Sequence, residues 1–479
     1  MPRYAYERLT ALDNSFLLLE KPNAYMHVAS TLIFDAGPLR RPEGGIDVDA
    51  VRAATEAALP QIPRYRQKLK YIPLENHPVW VDDDRFNLDY HLRHTALPKP
   101  GSVAQLKALS ARIMQQHLDR SRPLWEMWVV EGLEGDRFAL ISKVHHCMID
   151  GVSGVDLLNT QLRTSPERDV PELVPYFPRP APSGLELLRH ELLRRAALPF
   201  GAVRDVRNFV REATDARREV AVRLRAVAET LGTTLRRASD TPLNRPIGPH
   251  RRFDWLSMEV AEIKEVRKAL GGSLNDVVLT VVTGAVRRFL ERRGVNPRGL
   301  DFRVMAPVSV RGEDQRGRLG NRVSAWMLDL PVALPDPRQQ LERIAARTRQ
   351  LKESKQAVGA EVLTQAADWT PSTLLALGAR NVTRLLPFNM VVTNVPGPQV
   401  PMYLLGARML EAYPHVPLID RLGLGIALLS YDGHIFWGFN ADYDVVPDLD
   451  EFVAGTRDAL AELVRAARRR SKQAPTTAS

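Results

Sequence analysis

Cysteine is nearly absent from this chain of 479 residues: Cys147 stands alone. No intrachain disulfide can form, and such sparse usage fits a reducing compartment. Long apolar runs are missing too. No uncharged apolar stretch reaches the roughly 18 residues that a membrane-spanning helix needs. The opening Met1-Pro2-Arg3-Tyr4-Ala5-Tyr6-Glu7-Arg8 is polar and lacks the apolar core of a secretory signal. No helix-turn-helix, zinc-finger or RNA-binding pattern occurs, which sets nucleic acid aside as a partner. The expectation is an intracellular protein, soluble or peripheral to a membrane.

Charge and length are what the chain has. Lys and Arg number 66 against 56 Asp and Glu, for a formal net charge of +10. Half of the excess falls in residues 181–239, where 12 arginines meet seven acidic groups. Arg465, Arg468, Arg469, Arg470 and Lys472 add to it near the C-terminus. Such a balance suits either an anionic lipid surface or a solvated helical face. The 44% apolar content is globular, and the length exceeds one ordinary core, so two domains are expected.

Periodicity divides the chain at 1–180, 181–240 and 241–479. In the first part, strand patterns at 25–34, 79–81 and from Trp125 alternate with helical spacing at 47–59 and 103–117. That alternation predicts a mixed α/β fold. Prolines recur from 166 to 182 as in a linker, and 185–237 has a largely helical pattern. Its start sets Leu185, Leu187, Leu188, Leu192 and Leu193 beside Arg189, Arg194 and Arg195. An interfacial helix has this form, and so has an ordinary surface helix. In the third part, Ser273 caps a long helix from Leu274, and Asn389–Thr393 reads as a strand stopped by Asn394-Val395-Pro396-Gly397-Pro398.

The chemistry gathers in one stretch. A buried strand pattern, Arg137–Lys143, leads into Val144-His145-His146-Cys147-Met148-Ile149-Asp150-Gly151, and a helical pattern follows. Successive strand residues point to opposite faces, so His145 and His146 share a cavity only if the strand has already broken. One is a candidate base, since imidazole titrates near neutral pH; the other is a candidate structural group. Asp150 could orient a histidine, cap the next helix or pair with an arginine such as Arg311. Gly151 permits the tight backbone of the turn. Adjacent histidines diverge on a strand, and their spacing with Asp150 fits no usual zinc pattern. Cys147 invites a thiol-nucleophile reading. Asn275, in the first turn of its helix, suits either capping or donation to an oxyanion; Asp276 beside it reads as structural. Pro123-Leu124-Trp125 suits packing or a substrate wall, and Asn394 suits a turn or a polar contact.

His145-His146-x-x-x-Asp150-Gly151 matches the HHxxxDG signature of the CoA-dependent acyltransferase superfamily. With Leu9–Phe16, Pro123-Leu124-Trp125, Asn275-Asp276 and Asn394–Pro398 in order around it, the chain resembles the bacterial wax ester synthase/acyl-CoA:diacylglycerol acyltransferase family. The resemblance runs from about Leu9 to about Phe452. It implies a two-domain α/β fold like chloramphenicol acetyltransferase, with a channel between the domains. It implies acyl transfer from acyl-CoA to diacylglycerol or a long-chain alcohol. His146 is then the base, with His145 and Asp150 holding the loop and Asn275 meeting the oxyanion. Gly151, Pro123, Leu124, Trp125 and Asn394 become substrate-side positions. Cys147 falls on an unspecified position, which favours direct transfer. Acyl-CoA is a co-substrate, and no cofactor or metal is needed because the thioester is already activated. Such a protein is expected in the cytoplasm, peripheral to the inner membrane surface or lipid droplets. A carrier-protein-dependent condensing enzyme and a non-catalytic lipid-binding protein are the alternatives.

Overall fold

A computed structural model describes residues 6–148, 160–170, 172–196, 237–309, 323–353 and 387–473. The first half supplies β1 (Glu7–Arg8), β2 (His27–Asp35), β3 (Gln67–Tyr71), β4 (Pro78–Asp82), β5 (Leu92–Ala96), β6 (Trp125–Leu133) and β7 (Arg137–His145). The second supplies β8 (Arg251–Glu259), β9 (Arg303–Ser309), β10 (Val323–Asp329), β11 (Met390–Pro396), β12 (Tyr403–Leu404), β13 (Ala407–His415), β14 (Leu424–Tyr431) and β15 (His434–Asp442). They form two six-stranded sheets, ordered β12-β13-β2-β7-β6-β5 and β10-β9-β11-β14-β15-β8, and a small sheet β1-β4-β3. The architecture is the mixed α/β fold that the alternating pattern predicts.

The first sheet is built around β7. Every residue from Phe138 to His145 is buried, because both faces of this central strand are covered. It pairs antiparallel with β2, with His27 opposite His145. Lys143, fully enclosed, turns its ammonium group to the carbonyls of Ile113 and Gln116, at 2.8 and 2.7 Å, and to Glu126 at 2.7 Å. These carbonyls lie at and just past the end of helix Val103–Met114, where backbone acceptors are short of donors, although Ile113 O also accepts the Gln116 N–H at 3.2 Å.

Strands β12 and β13 come from beyond residue 241 yet complete the first sheet, β13 pairing with β2. The two halves of the chain are therefore interlocked. Trp255 stacks on Tyr413 with ring centroids 4.5 Å apart, and Phe253 on His415. Gly438 on β15 passes so close to β13 that a Cβ there would lie 1.8 Å from the carbonyl oxygen of Pro414. Only glycine allows that approach.

Helices Val260–Leu270, Leu274–Arg292, Pro337–Glu353 and Leu449–Gln473 contribute their apolar residues to the core of the second sheet. Asp432 and Gly433, both with positive φ, make the two-residue turn between β14 and β15. The sequence pattern ends β11 before Asn394; instead the strand runs to Pro396, and Asn394 pairs with Leu428 of β14. Parallel pairing with β14 supplies the ladder that holds the strand straight through this point.

The helix at 184–196 divides its leucines. Leu187 is buried with Ile72, Val79 and Val81 against the small sheet, whereas Leu185, Leu192 and Leu193 are 77%, 60% and 60% exposed. Arg194 and Arg195 turn to the buried Glu191, and Arg195 also reaches Glu75. No single described helix is long and apolar enough to cross a membrane.

Candidate active site

The strand β7 stays extended through His145, and the chain then tightens into a 3-10 turn, His146–Met148. This break lets consecutive histidines take different roles. The backbone N–H of His145 donates to Leu124 O at 2.9 Å, and that of His146 donates to Met26 O at 2.7 Å. Both histidines are thus held by main chain from neighbouring segments. Pro123, Leu124 and Trp125 are buried behind β7. The Trp125 indole donates to Tyr65 O at 2.8 Å and stacks on His91. These contacts pack the motif beside the histidine strand.

His145 is enclosed, with a hydrogen bond at Nδ1 and a charge-bearing neighbour, but no well-aligned hydrogen bond, at Nε2. Its Nδ1 accepts the backbone N–H of Cys147 at 3.1 Å, and its Nε2 faces Glu20 Oε1 at 3.1 Å. A backbone N–H can only donate, so Nδ1 carries a lone pair and the proton of the neutral ring sits on Nε2. Glu20 closes the helix Ala11–Leu19 and also accepts Met26 N–H at 2.9 Å and Arg120 Nη2 at 2.5 Å. Burial alone would raise its carboxyl, but the contacts with His145 and Arg120 overcome that and hold it well below the usual carboxylate range.

His146 is half-buried and lies against Phe16, with ring centroids 3.8 Å apart. Its Nδ1 is buried with no hydrogen-bond partner of normal geometry. Burial lowers the imidazole to about 4, its own backbone carbonyl opposing this weakly and the adjacent His145 adding to it. The ring is neutral at neutral pH and can accept a proton. Burial has the opposite effect on the Cys147 thiol, raising it well above its usual value. A thiol held protonated is a poor nucleophile.

On the second sheet, Asn394 Nδ2 donates to Asn275 Oδ1 at 2.6 Å. With its oxygen engaged, Asn275 has its amide N–H groups left to offer, at an exposed position in the first helical turn. Asn394 Oδ1 is buried without a partner. Asp276 is structural: its carboxylate accepts Ser273 N–H at 2.7 Å in a capping box and Thr348 Oγ1 at 2.7 Å. Asp150, Gly151 and Arg311 lie outside the described residues. Among the described residues no group of three His, Cys, Asp or Glu side chains is placed to hold a metal ion.

The sequence pattern assigns no site role to Glu20 or Arg120, and places Phe16 in a family motif without a role. One signal was available for Glu20: it is a charge that ends the apolar run Phe16-Leu17-Leu18-Leu19.

A family model described as the wax ester synthase/diacylglycerol acyltransferase catalytic domain matches residues 9–278. A second, the WS/DGAT C-terminal domain, matches residues 319–464. A Mycobacterium tuberculosis protein named as a diacylglycerol O-acyltransferase is 33% identical over 474 residues, covering 96% of this chain and 90% of the relative. Another from that species, named tgs1, is 32% identical over 468 residues, covering 96% of each. The solved wax ester synthase/diacylglycerol acyltransferase of Marinobacter aquaeolei is similar at 27% identity and a TM-score of 0.66, over 96% of this chain and 100% of that one. The first condensation domain of the calcium-dependent antibiotic synthetase shares the fold, at 16% identity and a TM-score of 0.57, over 97% and 96% of the two chains.

Proposed function

The chain belongs to the wax ester synthase/diacylglycerol acyltransferase family and is an acyltransferase, and on that premise we propose His146 as its general base. The acyl group comes from a long-chain acyl-CoA, and the acceptor is the hydroxyl of diacylglycerol or a long-chain alcohol. His146 takes the hydroxyl proton as the oxygen attacks the thioester carbonyl carbon. The new C–O bond leaves an oxyanion, which the Asn275 amide meets as donor. Collapse breaks the C–S bond, and the CoA thiolate leaves with the proton from the imidazolium. Asn394 fixes Asn275. Acyl-CoA enters the channel between the domains from one side and the lipid from the other. No further cofactor takes part.

The observation that carries this reading is the state of His146. Burial lowers its pKa, its backbone is anchored to Met26 and its ring to Phe16, and it is set at the end of a buried strand. CoA release from palmitoyl-CoA with diolein or hexadecanol, in wild type and His146→Ala, tests it. Turnover that collapses in the variant supports the base, and the faster acceptor identifies the main product. Equal rates in the two proteins would remove His146 from the role. Wild-type silence with both acceptors would favour a carrier-protein-dependent enzyme or a lipid-binding protein.

Both acceptors are insoluble in water, so the enzyme has to work where they collect. We assign it to the inner membrane surface or a lipid droplet, met through the outer face of helix 184–196. That face presents Leu185, Leu192 and Leu193 beside the exposed Arg189, in the most basic part of the chain.

A further inference from the structure

We propose that Glu20 is a positioning residue that selects the tautomer of His145 and through it seats His146. The inference rests on the reading of His146 as base, and its geometry is independent of which lipid is the acceptor.

Glu20 stands where two chains of polar contacts begin. In one, Oε1 faces Nε2 of His145, whose Nδ1 accepts the Cys147 N–H that closes the 3-10 turn carrying His146. In the other, Oε1 accepts Met26 N–H, and Met26 O accepts the N–H of His146. The other oxygen, Oε2, is held by Arg120, which also donates to Leu17 O at 3.2 Å. His27 Nε2 lies farther off, 3.8 Å from Oε1. Glu20 is itself buried, with 6% of its side chain exposed.

Every close neighbour of this carboxylate is therefore a donor. An ionised carboxylate offers only acceptors, whereas an amide of the same shape must present an NH2 at one of the two positions. Turned toward Arg120, that NH2 meets a guanidinium donor. Turned inward, it meets Met26 N–H and the Nε2–H of His145. Relief then comes most simply if His145 moves its proton to Nδ1. There it opposes the Cys147 N–H, and the turn that presents His146 loosens. Carboxylates that orient ligand or catalytic histidines through the far ring nitrogen act in this way.

Glu20→Gln isolates the effect, because it keeps size and shape. In protein labelled with 15N-histidine, the His145 nitrogens, assigned by comparison with His145→Gln, report the tautomer directly. The wild type is expected to show one neutral Nε2–H tautomer, and Glu20→Gln a shift toward Nδ1–H. Turnover should fall about 10- to 100-fold in kcat, with KM for acyl-CoA within about twofold. Arg120→Gln, which loosens the same carboxylate without adding a donor beside His145, should keep the wild-type tautomer. A wild-type His145 protonated on Nδ1, or an unchanged tautomer and kcat in Glu20→Gln, would overturn the proposal. The first of these is read on the wild type and needs no Glu20 variant to fold. Wild-type protein with the Nε2–H tautomer but no turnover would instead count against the acyl-transfer reading and leave the tautomer assignment standing.

Discussion

Asn394 donates its side-chain amide to Asn275 Oδ1 at 2.6 Å, joining a strand and a helix start that lie 119 residues apart. The bond fixes the rotamer of Asn275 and leaves its N–H groups as the free end of the pair. If the role of Asn394 is to aim Asn275, the two residues act as one unit. Asn275→Ala should lower kcat roughly 100-fold, the order expected for losing one oxyanion donor. Asn394→Ala should cost less, and adding it to Asn275→Ala should cost almost nothing more. A double-mutant cycle on kcat measures this. Fully additive losses would mean that Asn394 meets the substrate on its own account.

With His146 as the proposed base, its lowered pKa sets the acid side of the pH profile. The base works when neutral, and burial brings its titration from the usual 6.5 down to about 4. Protonation, and with it loss of activity, is thereby postponed to lower pH. A plot of log kcat/KM should stay flat from pH 7 to about 5 and bend near 4. CoA release across that range, with folding checked at each pH, is the measurement. A bend near 6.5 would mean that the ring is open to water in the working enzyme, or that another group is the base.

How much of this could be read from residues alone depended on how local each contact is. The strand ending at His145, the cap at Ser273 and the Asp432-Gly433 turn all rest on near neighbours, and periodicity finds them. The His145–Glu20 contact depends on the antiparallel register that sets His27 against His145, which no short window contains. The same holds for β13, whose partner β2 lies some 380 residues earlier, as in the pairing of Ala412 with Leu32. Leu185 and Leu187 look alike in sequence; only the small sheet decides that Leu187 goes inside.

Lys143 is the buried charge with most at stake. Burial lowers its pKa, and Glu126 with two backbone carbonyls holds the ammonium in place. Lys143→Met takes the ammonium donor from both carbonyls, leaving Ile113 O with the Gln116 N–H, and leaves Glu126 relying on Arg93, 3.4 Å away. Breaking such a pair should cost about 3–5 kcal/mol. Lys143→Met with Glu126→Leu should recover part of that loss, since no unpaired charge then remains inside. Urea unfolding of the two variants gives the comparison; a double variant no more stable than the single one would show that the carbonyl contacts dominate.

The two sides of helix 184–196 allow a test that separates docking from folding. Leu185, Leu192 and Leu193 face outward, while Leu187 is packed against Ile72, Val79 and Val81. Replacing the three outer leucines by serine removes apolar area that a lipid surface would cover, at about 1.5–3 kcal/mol per leucine when fully inserted. Partial insertion still predicts a loss of at least tenfold in binding to vesicles containing anionic phospholipid, with the unfolding midpoint unchanged. Leu187→Ser should do the reverse, lowering the midpoint by way of the small sheet. Co-flotation with vesicles, read beside a thermal melt, distinguishes the cases. If the triple variant still floats as the wild type does, this face is solvated, and contact with lipid must be made elsewhere on the molecule.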